Sequence, residues 1–120
     1  MAHLDERAAA HLRTAREDPR GRSAELLIHD GRLRQTIIAL RAGTELGEHN
    51  SPHAASLQCL AGRVEVTGVD EPEVTAGELV LLTHERHSVL AHEDSVFLLT
   101  TVTGLVDEDL PGPEEPVRNR

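Results

Sequence analysis

The sequence predicts an all-β barrel preceded by one helix, and three observations carry that prediction. Apolar segments of about 5–8 residues recur along most of the chain, separated by turns containing Gly, Pro or Asp. Only the first stretch shows a helical period instead. The final stretch, DEDLPGPEEPVRNR, has the composition of a segment that forms no core. With 120 residues the chain is expected to form a single domain.

Residues 4–17, LDERAAAHLRTARE, place Leu4, Ala8, His11, Leu12 and Ala15 on one stripe of a helix. Asp5 and Glu6 suit its first turn, where the helix dipole is positive, and Pro19 and Gly21 stop it. His3 and His11 are read as parts of this helix without a further role. AELLIH, Asp30-Gly31 and RLRQTIIAL then form a hairpin signal, with Asp-Gly supplying the positive φ angles of a tight turn. Toward Leu40 both faces of the second strand become apolar, which fits a sheet covered on both sides. SLQCLA, RVEVTG, EVTAGELVLL, HSVLA and SVFLLTTV follow, with corners at Ala61-Gly62, Asp70-Glu71-Pro72, Ala76-Gly77 and His92-Glu93-Asp94. The expected organisation is therefore 1–22, helix and linker; 23–106, barrel; and 107–120, a disordered acidic tail.

Composition narrows the function. The formal charge is −9, which repels phosphate backbones. The chain has no Trp, no Tyr and one Phe, so it lacks platforms on which bases or sugars stack. Nucleic-acid binding is not expected. Lysine is absent, which removes Schiff-base chemistry and a P-loop lysine. No apolar run approaches the length of a membrane span and no leader is evident, so a cytoplasmic protein with no membrane association is expected. Cys59 has no partner for an internal disulfide and sits among Leu57, Leu60 and Val64, as a buried inert thiol does.

Histidine, present eight times, is the abundant residue that titrates near neutrality. His49 ends a short stretch after Gly43, His53 precedes or opens the next strand, and His87 opens a later one. A barrel can bring such residues together on its axis, and a metal site needs three or four imidazoles or carboxylates at bonding distance. His29, His84 and His92 are read as turn or surface residues. Gln58 alternates with Ser56 and Leu60, so its amide is a candidate for the pocket, the alternative being an outward or subunit-facing side chain. Glu45 and Glu48 are read as solvated charges, and no Gly-x-Ser-x-Gly elbow or convincing triad context is present.

From about Ile37 to Val102 the chain resembles a small single-domain cupin, a double-stranded β-helix or jelly-roll barrel. The first cupin motif, G-x5-H-x-H-x3-4-E-x6-G, is matched by Gly43, His49 and Gly62, followed by the strand RVEV. The second, G-x5-P-x-G-x2-H-x3-N, is matched by Gly77 and by His87 one residue early. Ser51 and Ala55 stand where the first motif has its second histidine and its glutamate, while Thr83 and Glu85 replace the second motif's proline and glycine. Of the usual ligands only His49 and His87 carry over, with His53 as a substitute. The resemblance implies a small-molecule pocket containing these histidines, with at most weak occupancy by a divalent Fe, Mn, Ni or Zn ion, or none. The alternative it implies is a metal-dependent dioxygenase- or isomerase-like enzyme using His49, His53 and His87 as ligands. A homodimer is expected, because Ala24–Leu40 carries more apolar surface than one sheet face needs.

Overall fold

The computed structural model describes residues 1–49, 54–82 and 86–102. The tail at 107–120, together with His53 and His84, lies outside the described residues. The element order is α1 (Leu4–Glu17), β1 (Arg22–Asp30), β2 (Leu33–Leu40), β3 (Glu45–His49), β4 (Ala54–Ala61), β5 (Arg63–Val66), β6 (Glu73–Thr75), β7 (Leu79–Leu82), β8 (His87–Ala91) and β9 (Ser95–Val102).

α1 ends where Pro19 forces Asp18 into an extended conformation with ψ 136°. Arg41 then donates to the carbonyls of Arg16 and Asp18, placing a cation at the negative end of the helix dipole. The hairpin between β1 and β2 is present, with one correction to its turn. Asp30 remains paired with Leu33, and Gly31 alone has a positive φ (58°). Glycine at the first loop position suffices because Arg32 needs no positive φ.

The strands form two antiparallel sheets, β1-β2-β9-β4-β7 and β3-β8-β5-β6. The chain changes sheet between β2 and β3, β3 and β4, β4 and β5, β6 and β7, β7 and β8, and β8 and β9, which is a jelly-roll path. Between the sheets lies one core, with Leu40, Leu57, Cys59, Val64, Val66 and Phe97 fully buried. A second cluster lies on the outer face of the five-stranded sheet, where Ala8, Leu12 and Ala15 of α1 cover Ile37, Ala39, Val96 and Leu98. The doubly apolar end of β2 has this cause: Ile38 and Leu40 face the barrel while Ile37 and Ala39 face the helix.

Ser95, fully buried, ties two corners together. Its single O–H lies 2.7 Å from the Glu93 carbonyl and 3.1 Å from the Arg63 carbonyl, which share it, and its oxygen accepts the N–H of Arg63 at 2.9 Å. Gly62, at φ 79°, is required beside it, because a Cβ there would fall on the Asp94 carbonyl and the Ser95 hydroxyl. Among the described residues, no helix is long and apolar enough to cross a membrane.

Candidate functional site

The links from β3 to β4 and from β7 to β8 both cross between sheets at the same end of the barrel. Ladder register establishes this: Ala55 pairs with Leu82, Ala54 with Val102, and His49 with His87. Two histidines 38 positions apart in sequence thus have their backbones opposite one another at the barrel mouth. The middle of the barrel is filled by Phe97, Leu57 and Val66. β4 begins beside this end with the small residues Ala54 and Ala55.

His87 opens β8, whose alternate residues Val89 and Ala91 belong to the barrel core. By that alternation its ring is on the inner wall, and it is 3% exposed. Nδ1 lies 2.7 Å from the backbone carbonyl of Thr67. A carbonyl can only accept, so Nδ1 is the donor of this bond. The next residue repeats the attachment: Ser88 N–H donates to Thr67 Oγ1 at 2.9 Å, and Thr67 N–H donates to the Ser88 carbonyl. Gly68, at φ 80°, fits against the ring, since a Cβ there would be 3.0 Å from His87 Nδ1. Thr67 and Gly68 went unnoticed in the sequence, where "VTG" reads only as a strand end. A backbone carbonyl acting as orienter leaves no residue-type signal.

The described residues bring the other candidates together only in part. His49 occupies its register position opposite His87. Gln58 is on the other face of the sheet from the pocket. Ala55, Leu57 and Cys59 line the core, and Gln58, between them, shares its face with Ser56 and Leu60, on the side where α1 packs. Its placement in the pocket is corrected accordingly, because alternation on β4 leaves only one phase for the barrel. His92 is exposed and donates to Glu65 at 2.9 Å, as expected of a surface residue. His11 has a role the sequence reading denied it: Nε2 donates to Glu25 at 2.8 Å, and Nδ1 lies 2.7 Å from Ser23 Oγ, pinning α1 to β1. Cys59 is buried with its thiol pushed up by desolvation, and Sγ donates to the Ala61 carbonyl.

A metal is the group that cupin-type barrels raise. His87 donates Nδ1 to a carbonyl, an attachment that ligating imidazoles also commonly make. Among the described residues, however, no group of three or more His, Cys, Asp or Glu side chains is placed to hold an ion. The described donor set therefore does not make a complete site, and no chemical step is derived through one.

No protein-family model matches the chain, and no curated protein matches its sequence. Solved structures do. A conserved protein of unknown function from Streptococcus pyogenes is 25% identical, with a TM-score of 0.65, over 74% of this chain and 80% of that one. An RmlC-like cupin from Shewanella frigidimarina is 22% identical, with a TM-score of 0.64, over 77% of this chain and 86% of that one. An acetylacetone dioxygenase from Acinetobacter johnsonii is 18% identical, with a TM-score of 0.62, over 68% of this chain and 60% of that one. Two antiparallel sheets joined by a jelly-roll path, with these structures superposing on most of the chain, give it the fold of the cupin superfamily in a small cupin-type domain.

Proposed function

We propose that the barrel mouth binds a small, apolar or weakly polar molecule, with His87 and His49 as its polar contacts and with at most weak metal occupancy. The observation that carries this reading is the buried His87 ring, held by the Thr67 carbonyl on the inner wall and in register with His49. Buried polar groups at the end of an otherwise aliphatic barrel are what orients a ligand in such a site. Ligand-detected NMR with a library of small ketones, carboxylic acids and diols tests it. Hits that are lost in His87→Ala support the reading. A library without hits, or hits that persist in both His87→Ala and His49→Ala, would refute it.

A second reading, a metal-dependent enzyme with His49, His53 and His87 as ligands, is favoured by the bond from His87 Nδ1 to the Thr67 carbonyl. The acetylacetone dioxygenase among the similar structures keeps it in view, although likeness at that identity speaks only for the fold. Elemental analysis of the purified protein separates the two. Stoichiometric metal that His49→Ala and His87→Ala both abolish would replace the first reading with the second.

A further inference from the structure

The four strands at the sheet edges are not equally guarded against added strands. β1 carries a bulge between Leu26 and Ile28 and has charges along its length. β3, ELGEH, includes two glutamates, and β6 has three residues, the first of them Glu73. Bulges, charges and shortness are the usual protections of an edge. β7, LVLL, has no charge and no proline, and its pairing with β4 runs without a shift from Leu79 to Leu82. Leu79 and Leu81 are 68% and 74% exposed, far more than the large hydrophobics of any other strand. Among the described residues β4 is the one strand hydrogen-bonded to β7.

The direction of its remaining hydrogen-bonding groups follows from the ladder. The Glu78 carbonyl accepts from Cys59 N–H at 2.9 Å. Alternation along an antiparallel strand then turns Val80 and Leu82 toward β4, and the N–H and C=O of Leu79 and Leu81 toward the open edge. Beside that edge is a cleft of about 480 Å³ whose far wall is the turn from Gly68 to Glu71 with Glu73 and Val74. Asp70, Glu71, Glu73 and Glu78 line it, all exposed. Glu78 is fixed in place by accepting both the N–H and the hydroxyl of Thr75.

We propose that this cleft receives an extended peptide from another protein, added as a strand along β7 and bearing arginine or lysine between apolar residues. Backbone pairing with Leu79 and Leu81 supplies the strand ladder. Apolar side chains of the peptide cover Leu79 and Leu81, and its cations meet the acidic wall. A second copy of this chain is the poorer occupant, since it would bring the same carboxylates and a formal charge of −9 against them.

The test uses the full chain and a short, acetylated and amidated peptide alternating arginine and valine. Binding is followed by fluorescence anisotropy, and amide exchange at Leu79 and Leu81 by NMR. The peptide should slow exchange at both amides. N-methylating alternate residues on one edge of the peptide should weaken binding roughly tenfold, and on the other edge hardly at all, since only one edge pairs. The surface variant Asp70→Asn with Glu71→Gln should weaken it about fivefold and flatten its salt dependence. Leu81→Pro, which removes an edge-facing N–H without touching the β4 ladder, should abolish it. No binding, or equal loss from both methylation patterns, would overturn the proposal. Protection of Leu79 and Leu81 before any peptide is added would overturn it too, by showing another copy or another part of the chain on the edge.

Discussion

His87 is held by a contact that only the folded chain creates. Its Nδ1 meets the carbonyl of Thr67, a residue 20 positions earlier, and Gly68 closes against the ring. Alanine at Gly68 would combine a left-handed backbone conformation with a Cβ 3.0 Å from Nδ1. We expect Gly68→Ala to lower stability by about 1–2 kcal/mol and to shift the His87 ring resonances in NMR. Unchanged resonances would mean that the turn does not position the ring. Ser95 offers a second check, because its hydroxyl is fully buried and serves three backbone groups. Ser95→Ala strands those groups at the joined corners and should cost about 1–3 kcal/mol by chemical denaturation. At this scale, the sequence showed which residues begin or alternate along a strand but not always where they point. The place of His87 at the start of an apolar strand was legible, and it opens β8. Gln58 was not legible, because both faces of the five-stranded sheet are covered, one by the barrel and one by α1, so apolar neighbours alone leave the phase of β4 undetermined.

α1 is fastened to the barrel at both ends of its packed face. His11 and Arg7 reach Glu25 on β1, and Arg16 donates to Asp94 at 2.7 Å in the turn before β9. The same Asp94 carboxylate accepts Ala42 N–H at 2.8 Å. The Arg16 guanidinium first, and the Ala42 N–H second, hold the Asp94 carboxyl below its ordinary value of 3.8. A carboxyl depressed on folding contributes stability above its unfolded value, and that contribution disappears as pH falls through its lower folded value. Thermal unfolding followed from pH 7 downward should therefore show Tm falling below about pH 4. Asp94→Asn should lower stability at neutral pH by about 1 kcal/mol and make the acid slope shallower than in the parent. An identical slope in the variant would place the acid sensitivity elsewhere, with Asp18 and Glu25 as the other depressed carboxyls at this helix. The elements themselves were largely legible: α1 from its stripe, and the strands beyond β3 from their apolar runs and corners. β3 was recognised only as a short stretch between Gly43 and His49, since Glu-Leu-Gly-Glu-His shows little alternation and owes its pairing to β8.

For the whole molecule, the question is where the surplus apolar surface of the first hairpin goes. Leu27, Ile37 and Ala39 pack in the cluster under α1, and Ile38 and Leu40 enter the barrel. Leu26 and Ile28 remain 44% exposed and Leu33 37% exposed. The edge of β1 is guarded by its bulge, so pairing at that edge is disfavoured, but a guarded edge does nothing to hide side chains on the strand faces. The bulge puts Ile28 opposite Gln35, on the face of Leu33, while Leu26 opposite Thr36 is on the other face. A second copy covering the Ile28 and Leu33 face by packing hairpin against hairpin is the expected outcome, in a two-fold arrangement that presents the same patch from each subunit. Each subunit brings a formal charge of −9, so the association works against repulsion that salt screens. Light scattering at micromolar concentration should give twice the mass of the chain, and the dimer should tighten as ionic strength rises. Ile28→Glu, which adds a charge to each side of the contact, should shift it to the monomer without altering the circular dichroism spectrum. A monomer at every ionic strength would show that these leucines and isoleucine are tolerated exposure, and the hairpin would then be no interface at all.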